Sequence, residues 1–447
     1  MITYGTSAIP NSVITVREQT STAVSLLFDN AVGIVGGYDA SEGNLSASDE
    51  NTNIEVNGTD DARKKFGENS ELYRQVQLAY LNNAGRVVCT PVGETTVTES
   101  FGATSSISLS NEVLDPRFNP EEDITATDTT SGATITVNIV DGTPSTPSNS
   151  ETLNINPQTG EGEFDTSSDY DITYTKGDYS TAVNEAAKAN VRFSAVCSAS
   201  ENVINTELTG VKEQAKILDF KRLVGAVPTA VDPANYSILA DDQRLVLGAP
   251  TYGTAFDDTE AFLNVAIASQ MASEPLGSAA YGNSINGFSS LSQDFAIGDI
   301  TDFGSGNDVD RVTVVHEGLD GYEIVEDLTA STGSKFRDVY KCEVIDDITY
   351  NVNLAADAFI DANSPNTPES RSVGLEAPVR TVLRAASSNS PPLLSSTDGS
   401  KPYTIASSVG ASADAVNLEL GIDVTDLTKT VDVTIGVGAI NTFEGAE

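Results

Sequence analysis

The stretch Asp60-Asp61-Ala62-Arg63-Lys64-Lys65-Phe66-Gly67-Glu68-Asn69-Ser70 runs into Glu71-Leu72-Tyr73-Arg74-Gln75-Val76-Gln77-Leu78-Ala79-Tyr80, then Leu81-Asn82-Asn83-Ala84-Gly85-Arg86-Val87-Val88-Cys89-Thr90-Pro91-Val92. Leu72, Val76 and Tyr80 fall at helical spacing, and Ala84-Gly85 supplies a C-terminal stop. Residues 86–92 form a short apolar run of the kind that becomes a buried strand. Upstream, Val32-Gly33-Ile34-Val35-Gly36-Gly37 reads as another buried strand ending at glycines. Strand, helix, glycine stop and strand in succession point to a layered α/β sheet.

Outward from this stretch the character changes twice. Over 93–173 helical periodicity vanishes and Thr, Ser, Asp and Gly dominate. Alternating runs at 106–109, 133–140 and 153–155 are punctuated by Pro144, Pro147 and Pro157, a sandwich or barrel signature. This segment is expected to be an inserted, outward-facing all-β domain whose deletion leaves a folded core. The α/β alternation resumes at 174–179 with an Ala-rich helix to Ala189, a strand at 191–197 and an amphipathic helix at 201–218. Strands at 222–227 and 244–249 and a helix at 257–271 follow. Beyond Asn307 the pattern predicts a hairpin from 312–315 and 322–325, a strand at 340–344, and a helix through Ile348, Val352, Leu354 and Phe359. A second helix running to Ala386 is predicted to start near Pro378, since proline suits a first helical turn.

Two strands have no local partner. One is Val13-Ile14-Thr15-Val16-Arg17; the other is the strictly alternating Val431-Asp432-Val433-Thr434-Ile435-Gly436-Val437. A strand is not stable alone, so each must pair with the body or with another subunit.

The 447 residues carry 24 Lys plus Arg against 65 Asp plus Glu, a net charge of −41. Such an excess destabilises a compact chain by self-repulsion unless salt screens it, which points to a cytoplasm or brine of molar salt. It also opposes nucleic acid or an anionic membrane as a direct partner. Cys89, Cys197 and Cys342 are odd in number and widely spaced, so buried free thiols are expected rather than disulfides. No basic start with an apolar core suggests a signal peptide, and no run approaches the roughly 18 apolar residues of a membrane span. The sequons at Asn44, Asn57 and Asn235 are the chance tripeptides of a Ser/Thr-rich chain.

Catalytic patterns are thin. His316 is the single histidine, and no GxSxG accompanies it. Gly33-Ile34-Val35-Gly36-Gly37 lacks the GxGxxG spacing of a dinucleotide loop. Asp346-Asp347 and Glu121-Glu122-Asp123 lack EF-hand spacing. No Walker motif occurs. No catalytic residue, cofactor or metal is expected.

In order along the chain, several segments resemble contractile-tail sheath proteins, which build the contracting outer cylinder of tailed viruses and related injection machines. They are the opening stretch itself, Tyr174-Thr175 with Gly177-Asp178-Tyr179, the strand Arg244-Leu245-Val246-Leu247-Gly248-Ala249-Pro250, and the glycine-rich stretch 273–291. The strand pair at 311–325, Thr329-Ala330-Ser331-Thr332, Asp338-Val339-Tyr340 and the helix at 347–360 continue the match. The resemblance implies an α/β and α+β multidomain fold: a layered α/β sheath core with an inserted all-β domain and extended terminal strand arms. The boundaries are an N-terminal arm at 1–22, core at 23–92, inserted β-domain at 93–173, core again at 174–306, a C-terminal α+β domain at 307–426, and a C-terminal arm at 427–447. It further implies a structural, non-enzymatic subunit that polymerises as hexameric, helically stacked rings around an inner tail tube and contracts to deliver a genome. Baseplate and tail terminator proteins would be further partners, with neither nucleic acid nor membrane insertion. The location would be a virion tail assembled in the host cytoplasm, of a virus infecting salt-loving archaea. Residues Val13, Ile14, Thr15 and Val16, with Val431, Val433, Ile435 and Val437, match the family's arms, which add strands to sheets of adjacent subunits. Two alternatives stay open: a halophile surface or adhesion protein with β-domains, and the sheath of a cellular injection system.

The charge makes one expectation measurable. The melting temperature should fall steeply between roughly 3 M and 0.1 M KCl, because the Debye length is about 3 Å near 1 M and lengthens as salt is removed. An unchanged value would rule out adaptation to molar salt.

Overall fold

A computed structural model describes residues 30–227, 241–256, 258–295, 312–318, 321–331, 336–362, 368–396, 399–409 and 416–425. Strand β1 (Ala31–Gly36) is buried along its whole length. It leads through β2 (Ile54–Val56) and α1 (Thr59–Phe66) to α2 (Glu71–Leu81) and β3 (Arg86–Pro91). The Ser70 hydroxyl caps α2 by accepting from the Tyr73 N–H at 3.1 Å. The stop differs in detail from the expected Ala84-Gly85. Asn83 takes the left-handed conformation, φ +68°, which asparagine tolerates. Gly85 instead lets the chain pass Asn30, where a Cβ would meet the Asn30 carbonyl oxygen at 3.2 Å.

The next unit is a closed ring of strands. β4 (Glu94–Ser108) lies along its outside, and β5 (Thr125–Asp128), β6 (Thr134–Ile139), β7 (Thr152–Asn156) and β8 (Glu161–Gly177) form the ring itself. The 17-residue β8 pairs along β4, and also closes the ring by pairing β5 at Tyr170–Thr173 and β7 at Glu161–Phe164. Ile135, Leu153, Ile155, Phe164 and Ile172 fill its interior, where the Phe164 and Tyr170 rings stack at 3.6 Å.

The chain then returns to the first sheet with α3 (Tyr179–Ala186), β9 (Phe193–Val196), α4 (Glu201–Ala215), β10 (Arg222–Ala226) and β11 (Leu245–Ala249). After β12 (Tyr252–Ala255) and β13 (Glu260–Phe262) come α5 (Asn264–Ser273), β14 (Ser284–Ile285) and β15 (Phe288–Leu291), and β13-β12-β15 form a small antiparallel sheet. The hairpin of β16 (Thr313–Gly318) and β17 (Gly321–Ile324) follows. Nine strands form the main sheet in the order β14-β17-β16-β11-β10-β9-β1-β3-β2. Alternation along β1 sets the layers. Val32 and Ile34 join Leu72 and Val76 of α2 and Val265 and Ile267 of α5. Val35 faces the opposite way, with Val183 of α3 and Ile204 and Leu208 of α4. The last elements are α6 (Val339–Ala362), α7 (Pro368–Ser388), β18 (Tyr403–Val409) and β19 (Val416–Ile422).

Several expectations are corrected. The strand at 340–344 is the first turns of α6. Val344, Ile348 and Val352 recur every four residues and are buried together, so the β-branched run serves a helix face. The first-turn proline of the next helix is Pro368; Pro378 lies inside α7. Four residues before Pro378 stands Gly374, at the carbonyl where a proline ring crowds the preceding turn. The helix at 257–271 begins only at Asn264, because Glu260–Phe262 is strand β13. The hairpin placed with the C-terminal unit belongs to the main sheet, where β16 runs parallel to β11 (Gly248↔Thr313, Ala249↔Val314). Cys342 sits in a helix, although all three cysteines are buried free thiols.

The segment between β4 and β5, residues 109–124, is a strap over the body. Leu114 packs among Val35, Tyr179 and Val183. The Phe118 ring lies 4.2 Å from Phe262 and 5.6 Å from Tyr252, centroid to centroid. Removing all of 93–173 would therefore also empty part of the body's core. Phe118→Ala should cost about 3–5 kcal/mol, read as a lower urea midpoint, while Phe118→Leu retains most of it. An unchanged midpoint for Phe118→Ala would show that the strap is not part of the core.

Candidate functional site

Strands β18 and β19 form a two-stranded sheet in register from Tyr403↔Ile422 to Val409↔Val416. Tyr403, Ile405, Leu418, Leu420 and Ile422 pack with Leu375, Val379 and Leu383 of α7 and Val344 and Ile348 of α6. Thr404, Ala406, Glu419 and Gly421 are exposed on the other face. The alternation is that of a half-buried sheet. The Ser407 hydroxyl donates to Glu376 Oε1 on α7 at 2.9 Å. Beyond Ile422 the chain is tied down by Thr425 N–H donating to the Leu393 carbonyl at 3.0 Å. Among the described residues no further strand lies against either edge of this pair. Edges left unpaired among the described residues, over an apolar floor, can template an incoming strand.

The floor is fixed to the body by buried ion pairs. Arg192 precedes β9, Arg222 opens β10 and Arg244 precedes β11, so adjacent parallel strands each present an arginine at the same end of the main sheet. Glu343 and Asp346, one turn apart on α6, receive them. Arg192 makes a two-pronged contact with Glu343, Nε to Oε1 at 2.7 Å and Nη2 to Oε2 at 2.8 Å. Its Nη1 donates to the Ala272 and Glu274 carbonyls at the end of α5. Asp346 accepts from Arg222 at 2.7 Å and from Arg244 Nη2 at 2.6 Å. All five residues are buried. Burial opposes the charge on Arg222 most strongly, yet the charge and hydrogen bond of Asp346 together with nearby Cys342 and Glu343 outweigh it and hold the guanidinium above its ordinary value.

The expected arm residues Val13, Ile14, Thr15, Val16, Val431, Val433, Ile435 and Val437 lie outside the described residues. The hairpin itself was missed in the sequence, although Tyr403-Thr404-Ile405-Ala406-Ser407 and Leu418-Glu419-Leu420 alternate as strands should. His316 Nε2 lies 3.1 Å from Glu323 Oε1, its neighbour across the β16–β17 hairpin. Among the described residues no group of three or more His, Cys, Asp or Glu side chains is placed to hold a metal ion. No helix among them is long and apolar enough to cross a membrane.

A layered body, a strand ring and a helix pair carrying a hairpin together make a mixed α/β architecture. It is the fold of contractile sheath proteins. The helical sheath of the anti-feeding prophage, in its contracted state, superposes with a TM-score of 0.57 at 9% identity, covering 96% of this chain and 99% of that one. The contracted sheath complex of the extracellular contractile injection system PVC gives 0.53 at 11% identity, covering 92% of each chain. The sheath tail protein of Desulfitobacterium hafniense gives 0.50 at 11% identity, covering 91% of this chain and 99% of that one. No protein-family model and no curated protein matches the sequence.

The clamp predicts a large local effect. Asp346→Ala leaves two guanidinium groups buried without a carboxylate, a loss of roughly 3–5 kcal/mol. The thermal midpoint in molar KCl checks it; a midpoint within about a degree of wild type would mean α6 is held by packing alone.

Proposed function

We propose that the chain is the structural subunit of a contractile tail sheath. Copies would polymerise as stacked hexameric rings around an inner tube, held between a baseplate and a tail terminator, and contract to drive the tube through a host envelope. The observation that carries this is the hairpin β18–β19, a two-stranded sheet with neither edge paired among the described residues, in a chain that has alternating strand sequences at 13–17 and 431–437. Two strands need partners and two edges need strands. Intramolecular pairing would satisfy one molecule; exchange between neighbours would knit a cylinder. In β-augmentation the backbone supplies affinity and alternate side chains fill the apolar floor. Val431, Val433, Ile435 and Val437 share one face and would extend that floor from one neighbour, and Val13 to Val16 would do so from another.

The finer features fit the same reading. The strand ring, read as an outward-facing insertion, lies away from the shared sheet in sequence. The charge of −41 supports assembly in molar salt, as in a virus of salt-loving archaea whose tail is built in the host cytoplasm. The neighbours from injection systems favour a second reading, a cellular contractile device with the same subunit mechanics.

Val433→Asp tests the shared sheet. It places a charge where an apolar side chain should be buried, at a cost of roughly several kcal/mol per subunit. Sedimentation and electron microscopy should show folded monomers and no cylinders. Normal cylinders would sink the shared-sheet mechanism, and an unfolded monomer would mean that the strand serves its own chain.

A further inference from the structure

The C-terminal end of α2 carries an apolar platform beside the point where the chain enters the fold. Leu81 and Phe256 are 47% and 49% exposed, and they flank one glycine. A Cβ on Gly287 would lie 2.6 Å from Leu78 Cδ2, 3.3 Å from Leu81 Cδ1 and 3.7 Å from Phe256 Cδ1. Half-buried Phe288 joins them, packed with Leu78, Ala255 and Ala261. Hydrogen bonds pin these segments together. Asn82 Nδ2 donates to the Asn286 carbonyl at 3.0 Å, and the Asn286 N–H donates back to Asn82 Oδ1 at 2.8 Å. The Phe256 N–H donates to the Gly287 carbonyl at 3.1 Å. The platform is therefore preformed.

The described chain begins at Asn30, immediately beside it. Asn30 Nδ2 donates to the carbonyl of Asn83, two residues from Leu81, at 2.8 Å. The Asn30 carbonyl accepts from the Gly85 and Arg86 N–H groups at 2.8 and 2.9 Å. Asn30 Oδ1 is shut off from solvent and has no partner among the described residues, so an N–H of the preceding residues can donate to it.

The sequence supplies an occupant of matching chemistry. The residues before Asp29 are Ala23-Val24-Ser25-Leu26-Leu27-Phe28, and Gln19 to Phe28 carries no charge in a chain whose residues are 20% charged. From Asn30, an extended chain places Phe28 up to about 7 Å away and Leu26 up to about 14 Å away. Three consecutive large apolar residues and an uncovered apolar platform thus lie within reach of one another. Contact between them removes both surfaces from water.

We propose that Leu26, Leu27 and Phe28 dock on the platform of Leu81, Phe256 and Phe288 in their own chain and anchor the N-terminal segment at the end of α2. The anchor limits what lies upstream: the strand sequence at 13–17 can then reach only as far as residues 18–25 allow, about 30 Å from the platform. The inference concerns contacts within one chain and does not rest on the sheath reading.

Disulfide trapping in the full chain, in molar KCl, tests it. Leu81→Cys is combined in turn with Leu26→Cys, Leu27→Cys and Phe28→Cys, and each pair is oxidised with diamide. A bond forms only where the two Cβ atoms come within about 4.5 Å. Cys89, Cys197 and Cys342 are buried and do not compete. The control partner is Ile217→Cys, 60% exposed just beyond α4 on the other side of the main sheet. At least one Leu81 pair should close within the monomer about tenfold faster than its Ile217 counterpart, at a rate unchanged by dilution. If Leu81→Cys does not fold, Phe256→Cys takes its place. Closure no faster than the control would overturn the anchor, since it would mark a segment that touches the platform only by chance. A dimeric disulfide whose yield falls on dilution would also overturn it, because a second copy would then cover the platform.

Discussion

The arginine clamp between the main sheet and α6 is the contact on which the rest depends. The hairpin has no core of its own; its apolar face is completed by α6 and α7. Those helices are joined to the body through Glu343 and Asp346. Two carboxylates one helical turn apart must meet guanidinium groups spaced by the separation of parallel strands, about 4.8 Å. A rotation of α6 by a single residue would turn both away. Arginine suits this place better than lysine, since its planar fork matches a carboxylate at two points and its charge survives burial. Buried ion pairs add little net stability, because desolvation offsets much of the attraction. Here they set the one orientation in which the helix pair docks.

The same reasoning explains how charge is arranged. Arg74, Arg192, Lys221, Arg222 and Arg244 are buried with partners, in a chain with only 24 basic residues. Interior cations are unavailable to neutralise the surface, so the exterior is more acidic than a uniform distribution would make it. Screening by salt reaches those exposed carboxylates and hardly touches the clamp. The strap spans both regimes, with Asp115 buried against Arg117 and Glu121 and Asp123 exposed.

The body was legible because its signals are local and periodic. Val32 to Gly37, the helix from Glu71 and the run from Arg86 each declare a buried face at the spacing of their own element, and parallel pairing follows from alternation. The misread parts are places where tertiary contacts decide. Tyr340 to Val344 has the composition of a strand, and helix is the better state because Val344 shares a buried face with Ile348 and Val352 while Glu343 meets Arg192 across 151 residues. Pro378 is tolerated inside α7 and so gives no start signal. Phe118 lies in a segment that looks like loop within a β-rich region, yet it packs against Phe262. The fastening of α6 was illegible for the same reason: three arginines scattered between positions 192 and 244 reveal nothing until the strands align.

These constraints bear on how the proposed cylinder could move without coming apart. The sequence contains no Walker motif, so the work of contraction would have to be stored in a metastable packing of subunits. Such a store needs rigid bodies whose contacts change and connections whose contacts do not. The three-layer body and the clamp supply rigidity, because a close-packed core with a fixed helix has no continuous path of deformation. The hairpin edges are suited to be the permanent connections: a strand added to an edge is held by a ladder of backbone hydrogen bonds along its whole length. Force entering through that ladder reaches the hairpin, then α7 and α6, and through Glu343 and Asp346 the ends of β9, β10 and β11. The load would thus be delivered to the centre of the main sheet, where the strands are buried on both faces.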